Sequence, residues 1–495
     1  MNDYLVSLPI LLPLIGSVGA LLLRKRRRLQ ASWAMAAMFG GLAASVWLLA
    51  VVWSGGEPVV FHSGGWLAPF GISLVGDLLS AMMAVMSQVV LSLGIVYALG
   101  SRDQVVRYPA FYTIFLTMAA GLTGAMLAGD LFNLFVFAEL LVFSGTILTA
   151  ASDDRMGAEA AFKYFYMSLL ASAFLLLAIG SLYVSYGTLS MAGLAMRIAA
   201  NPSAPLLPVA IGLLMATFMI KSAVTPFHFW QPDFHTASPT AVSAMLSSVV
   251  VKLGVYGFLR MTTLLFVEQA PAVRGLLLVL GLAGIVYGGL GAIGTHNAKR
   301  MLAYSTLAQV GFILAAIGWG SRLALAAALV FAVNHSLIKA ALLMLAGAVA
   351  SRAPVKTAAF DVVTGLGKYM PFAGLLFFVG GLALMGIPPT NGFVSKMMLF
   401  SSGIEAGQFA MLAALGLASI LTLVYVVRAF QRIWWQLPAE GVKAKPGGDR
   451  LLAPALLIVA VLVLGLWPEP LVGLAEATAD WLGDPKAYIA AVLGG

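Results

Sequence analysis

The sequence predicts an all-α polytopic membrane protein of about fourteen transmembrane helices, and three observations carry that prediction. Of 495 residues, 61% are hydrophobic and only 9% are charged, where soluble domains hold near a quarter charged residues. The apolar residues come in unbroken runs of about twenty, the length of helix that crosses roughly 30 Å of hydrocarbon. Lipid leaves no backbone group unpaired, so only helices or closed barrels can span it. Runs this long, without ten-residue alternation, exclude the barrel. The third observation is the distribution of lysine and arginine between alternate loops, which sets an orientation.

In chain order the spans lie near 4–23, 31–53, 76–99, 109–128, 131–151, 159–186, 205–231, 238–261, 273–294, 300–319, 322–350, 371–402, 407–433 and 451–467. The first run is followed by Arg24, Lys25, Arg26, Arg27 and Arg28. A signal peptide carries its charge ahead of the apolar core, so this run reads as a retained helix. Seventeen cationic side chains then fall in loops on the side of Arg24–Arg28, Lys356 and Lys443 among them, and four (Arg197, Arg274, Arg322, Lys486) on the other. That bias places the N-terminus outside. It also accounts for most of the net charge of +9, which leaves no case for nucleic-acid binding. The whole chain, 1–495, reads as one membrane domain: N-terminal helices in 1–108, further bundles in 109–261 and 273–433, and a last helix with a surface tail in 451–495.

Seven cations remain within spans. Lys163, Arg260 and Arg428 sit near helix ends, where snorkelling to the headgroups explains them. Lys221, Lys252, Lys339 and Lys396 lie deeper, each at a cost of about 3 kcal/mol even on the lenient insertion scale. Ion and proton pathways are the usual reason for such costs. A desolvated lysine falls from its ordinary pKa toward neutrality and can then load and unload a proton. Glu139 is the one carboxylate well inside a predicted span, and spacing does not say which lysine it meets. His335 and Lys339 stand four apart, one turn along the same helix face, as a proton hand-over requires.

Two spans look broken. The seventh carries Pro226 in Lys221-Ser222-Ala223-Val224-Thr225-Pro226, and the twelfth carries Pro388-Pro389 with Lys396 shortly after. Proline removes a backbone donor, and discontinuous helices at membrane depth line cavities or transport sites. The breaks are five spans apart, so spans 4–8 and 9–13 are expected to be two inverted five-helix repeats. No enzyme signature stands out: there is no nucleophile elbow, zinc motif or dinucleotide fingerprint, and no cysteine for a cluster. No cofactor is expected. His228, Asp233 and His235, near the end of the seventh span, suit a proton funnel or a loop hydrogen-bond network better than a metal.

The segment Gly129-Asp130-Leu131-Phe132-Asn133 through Glu139 resembles the fifth-helix motif of Mrp-type cation/proton antiporter subunits. Lys221 through Asp233 and Pro239-Thr240 resembles the broken seventh helix and following loop of that superfamily, which includes antiporter-like subunits of respiratory complex I and membrane-bound hydrogenases. Lys252-Leu253-Gly254-Val255-Tyr256 and His335-x-x-x-Lys339-Ala340 are similar to its eighth- and eleventh-helix patterns. The resemblance runs from about span 3 through span 13 and implies more than the residues alone show. Glu139 would pair with Lys221, Lys252 would lead to the centre, and His335 and Lys339 would continue a relay ending at Lys396. Length favours the D-type branch of the family, since A-type members carry a long C-terminal extension. The implied protein is a secondary ion transporter subunit in a bacterial plasma membrane. It would exchange protons for Na+ (or K+ or Li+) alongside other antiporter subunits. The alternative is a pumping subunit of a quinone- or hydrogenase-linked complex.

Overall fold

A computed structural model describes residues 3–152, 154–355, 357–438 and 444–494; Lys356 and Lys443 of the charge count lie outside the described residues. Helices α1 (Leu8–Leu22) and α2 (Arg27–Gly55) precede a two-stranded antiparallel hairpin, β1 (Val59–His62) with β2 (Ser73–Gly76), in which Val59 faces Gly76. Helices α3 (Leu78–Gly100), α4 (Phe111–Leu127), α5 (Leu131–Ala150) and α6 (Arg155–Tyr186) follow. A short α7 (Met191–Ala200) comes next, then α8 (Leu207–Lys221) and α9 (Trp230–Ala237). The eighth predicted span is one continuous helix, Thr240–Leu265. It comprises α10 (Thr240–Met245), a wide π-type turn at Leu246–Val250 and α11 (Lys252–Arg260), and it ends in a second π-type turn at Met261–Leu265.

The remainder is α12 (Ala270–Gly294), α13 (Ala298–Trp319), α14 (Arg322–Ala350), the single turn α15 (Phe360–Val363), α16 (Pro371–Met385), α17 (Asn391–Glu405), α18 (Phe409–Phe430) and α19 (Leu452–Leu466). The tail folds as α20 (Glu469–Leu482) and α21 (Pro485–Leu493), with a bend of 76° between α19 and α20. Helix starts follow ordinary capping chemistry. Asp77, Asp130, Asp154, Asn297 and Ser321 each accept a backbone N–H of the first turn, satisfying donors that would otherwise be orphaned.

Among the described residues ten helices are long and apolar enough to cross a membrane; the shorter apolar helices include α4, α8 and α16. The two predicted breaks are present. α8 stops at Lys221, the chain turns through Ala223 at φ +52°, and helix resumes at Trp230. α16 stops at Met385, Gly386 takes φ +81°, and α17 starts at Asn391. In both places proline removes the donor that would carry the ladder onward.

α14 is buried along nearly its whole length and packs on α13, α16, α17, α19 and α20. Outward faces of the peripheral helices are apolar, as Leu177 and Val184 on α6 and Ile420 and Leu423 on α18 show, which suits lipid or a partner helix. One edge of the bundle is knitted by backbone bonds. Gly129 N donates to Ser73 O (2.9 Å), Leu131 N to Leu189 O (3.0 Å) and Met191 N to Gly129 O (2.9 Å), tying the hairpin to the α4–α5 and α6–α7 connections. The tail does not float on the surface as the sequence suggests. α20 packs on α14 and α3, α21 packs on α7, and Leu474, Thr478, Leu482, Tyr488 and Val492 are buried.

Candidate functional site

The six predicted site residues fall on separate stretches of the bundle. Glu139, on α5, is half-buried and accepts a short hydrogen bond from Ser172 of α6. Lys221 is the last residue of α8, at the mouth of the first break. It is buried, and its Nζ has no partner among the described residues. Glu139 acts on Lys221 through space, but the two do not form an ion pair; every ion pair described lies elsewhere. The pairing implied by the resemblance is therefore not made in this state, because Ser172 holds the carboxylate.

The break itself is stitched to the next helix. Ser222 Oγ donates to Val251 O at 2.9 Å. Gly254 permits that approach: a Cβ there would lie 2.0 Å from Ser222 Oγ and 2.5 Å from Phe218 O. The π-type turn ending at Val250 widens the helix just before Lys252, a distortion that recurs at functional positions.

Lys252 is fully buried and its Nζ stands 2.7 Å from His335 Nδ1. An ammonium has no lone pair to accept with, so this bond holds one proton between two basic nitrogens. His335 Nε2, on the far side of the ring, has no partner among the described residues. Lys339, one turn along α14 and also fully buried, donates to Leu302 O at 2.9 Å and closely to Ser305 Oγ, both on α13. It has neutral acceptors and no carboxylate. Lys396, on α17, reaches back across the second break to Met385 O at 2.8 Å. It also donates to Ser419 Oγ at 3.2 Å and lies 5.3 Å from the centroid of the Phe312 ring.

A narrow cavity of about 10 Å³ lies between the central histidine and the second break, with His335, Gln309 and Lys396 in its wall. Gln309 Nε2 and His335 Nε2 are both buried without partners among the described residues. The space is at the lower limit of what one water needs, and these two nitrogens are the groups such a water would bridge. The structure thus joins Lys252 to His335, sets Lys339 one turn along the same helix and places Lys396 with His335 in one cavity wall, while Lys221 and Glu139 lie at the first break and are linked by charge.

At the end away from the hairpin, Asp233 bonds Lys163 and Arg300, each at 2.7 Å. Burial alone would raise the Asp233 carboxyl; the hydrogen bond from Lys163 and the charge of Arg300 outweigh it and hold the group below its ordinary range. His235 is buried, with Ser243 Oγ 3.2 Å from Nδ1. Burial, then the charges of Lys339 and Lys299, push it down to about 3. The His228 ring instead lies tilted by 58° against Tyr287, ring centroids 4.3 Å apart. The three residues therefore have separate partners, and no group of three or more His, Cys, Asp or Glu side chains able to hold a metal is found among the described residues.

Sequence reasoning misplaced Arg260 and missed its partner. Arg260 does not snorkel: it is buried and bonds Asp77 in bidentate fashion at 2.7 and 2.8 Å. Asp77, the N-cap of α3, is also buried, so Glu139 is not the sole carboxylate inside the bundle. The serines at positions 172, 305 and 419 and Gln309 could not have been singled out, because uncharged polar residues at membrane depth are common and become acceptors only through tertiary contact.

The chain is similar to known proteins over its whole length. The family described as NADH:quinone oxidoreductase/Mrp antiporter, transmembrane region, matches residues 128–422. Over 497 residues, covering 100% of both chains, the sequence is 31% identical to the D-type Na(+)/H(+) antiporter protein of Alkalihalophilus pseudofirmus. It is 36% identical to the N-type NADH-quinone oxidoreductase protein of Desulforudis audaxviator, over 94% of this chain and 95% of that one. The fold superposes on a chain of the Mrp complex from Dietzia sp. DQ12-45-1b with a TM-score of 0.90 and 29% identity. That match covers 100% of this chain and 99% of the other.

Proposed function

Because the chain belongs to the NADH:quinone oxidoreductase/Mrp antiporter family, we propose that it is the D-type, proton-translocating component of a multi-subunit Na+/H+ antiporter in a bacterial plasma membrane. The observation that carries this reading is the buried row itself. Four lysines stand without a carboxylate ion pair among the described residues, and two are joined through His335 or its cavity. A buried charge without a counter-charge is too costly to be structural filler.

Proton movement follows from the contacts. Docking of Glu139 on Lys221 would require release of Ser172 and would fix a proton on Lys221 by opposite charge. Loss of that pairing sends the charge imbalance along the row, since like charges in a low-dielectric interior repel. The Lys252–His335 bond passes a proton between nitrogens, His335 offers Nε2 to the cavity, and Lys396 receives on the far wall. Fourteen spans, an outside N-terminus and inverted repeats over spans 4–8 and 9–13 complete the proposal. The two breaks, five spans apart, support the repeats. Under this topology the hairpin and the tail face outside. The chain is a transporter component rather than an enzyme, and any redox chemistry belongs to partners.

The test is antiport in everted vesicles carrying the whole complex. Glu139→Ala and Lys221→Ala should abolish Na+-dependent proton movement while the complex assembles; wild-type rates in both would overturn the relay. The 36% identity to an N-type NADH-quinone oxidoreductase protein favours a second reading, a pumping component of a redox complex. Mass spectrometry of the co-purifying proteins separates the two. Small hydrophobic antiporter proteins support the first, and flavin or iron–sulfur proteins support the second.

A further inference from the structure

One cluster of buried ionisable side chains has no part in that relay. On α11, Lys252, Tyr256 and Arg260 follow at steps of four and so share one helix face. The face runs from the Lys252–His335 pair to the hairpin side of the bundle. Arg260 Nε donates to the Tyr256 hydroxyl oxygen at 3.0 Å, and the guanidinium is pinned to Asp77. Its Cζ lies 5.1 Å from the ring centroid of Tyr256 and 5.1 Å from that of Tyr488 on α21, so the cation is held against two phenols. Arginine does not give up its proton. Paired with Asp77, it is a fixed charge that orients the phenol oxygens, not a carrier.

Two oxygens beside this cluster are unsatisfied. Tyr488 is 2% exposed, and no described group bonds its hydroxyl. Asp130 is 6% exposed; its Oδ1 accepts Asn133 N at 2.7 Å, while Oδ2 has no partner among the described residues. The Tyr488 hydroxyl is within electrostatic reach of Asp77, Tyr256 and Asp130. An orphaned buried oxygen costs about 1–3 kcal/mol. Two within electrostatic reach of each other, the Tyr488 oxygen also of a phenol that shares a helix face with a relay lysine, point to traffic through them. Asp130 sits in the seam that knits the hairpin-side loops together, under the tail.

Resting on the antiporter reading above, we infer that Tyr256, Tyr488 and Asp130 form a proton route from the Lys252–His335 pair to the hairpin side. Asp130 is its outermost acceptor and the C-terminal helix α21 its cover. A proton received at each phenol oxygen is matched by the phenol's own proton leaving on the other side, so neither tyrosine changes charge. Lys252 goes from ammonium to amine, Asp130 goes from carboxylate to carboxylic acid, and the acid then releases its proton to water. Burial raises the Asp130 carboxyl to about 6, against the pull of the Asn133 and Phe132 N–H groups, which suits exchange with a near-neutral bath.

The experiment uses everted vesicles containing the complete complex, with assembly followed on native gels. Tyr256→Phe, Tyr488→Phe and Asp130→Asn should each slow Na+-dependent proton movement, by about a hundredfold for a required proton-transfer group. Phenylalanine keeps the ring packing, and asparagine keeps the N-cap of α5. Asp130→Glu should restore transport, which a merely structural role for the aspartate does not explain. Lys339→Ala serves as the control on the relay. If it is inactive while the three substitutions run at the wild-type rate, the route is overturned and the relay stands. If Lys339→Ala itself transports normally, the relay fails and the route with it. Failure of Asp130→Glu to rescue also overturns the route.

Discussion

The two broken helices are built from the same sequence device and satisfied in opposite ways. In the first, the break is closed sideways: Ser222 bonds Val251 of the next helix, Gly254 lets the two backbones meet, and Lys221 Nζ has no partner among the described residues. In the second, the lysine does the closing. Lys396 lies beyond the break and donates back to Met385 O and across to Ser419. A lysine with no bonding partner among the described residues can answer a change at a nearby carboxylate, and the charge of Glu139 acts on it. A lysine that holds its own helix together cannot lose its proton without weakening the bonds that close the break, since an amine is a poorer donor than an ammonium. In the relay proposed above, the first half would act as the switch and the second as a gate that opens when it loses its proton.

That contrast can be broken experimentally, and Lys396→Ala should have the largest effect. It removes transport and also the bonds that close the break, with a stability loss of about 1.5–3 kcal/mol visible as a lower unfolding temperature of the purified complex. Lys396→Arg sharpens the point. Arginine can keep the carbonyl bond but cannot deprotonate, so assembly and unfolding temperature should be retained while transport is lost. Next comes Lys221→Ala, equally inactive but with an unfolding temperature close to wild type, because no hydrogen bond is removed. A large drop there would show that Lys221 is structural and would erase the contrast. Gly254→Ala should overpack the stitch, costing about 1–3 kcal/mol and slowing transport in part. Ser222→Ala, which only deletes the bond to Val251 O, should cost about 1 kcal/mol and leave transport measurable. Indifference to both changes would mean that the stitch does not hold the first break.

How far these features were legible depends on what kind of signal each residue gives. A lysine in an apolar run is conspicuous wherever it points, so Lys221, Lys252, Lys339 and Lys396 could be named from position alone. The breaks were legible because proline acts on its own backbone. The span limits followed closely too: 322–350 is the extent of α14, and the eighth span extends only to Leu265. Arg260 was misread because depth along a helix does not reveal whether a partner waits there, and Asp77, as the N-cap of α3, lay at the edge of a predicted run. The short helix α7, the hairpin and the packed tail lay outside the long apolar runs by which the spans were read, since each gains its stability from the bundle it covers.

By itself the sequence determined the class, the order of the long apolar helices, the two discontinuities and the list of lysines at membrane depth. Those are properties of local composition and of the cost of moving a segment from water to lipid, and they are fixed one segment at a time. Only the tertiary structure decided who meets whom: that Lys252 shares a proton with His335, that Ser172 rather than Lys221 holds Glu139, and that Lys396 closes its own helix. It also decided that Arg260, Asp77 and Tyr488 form one buried cluster under the tail. Each of those contacts joins residues on different elements of the bundle. Hydrogen bonds act over about 3 Å, so partner choice is set by how the helices pack, which spacing along the chain does not encode.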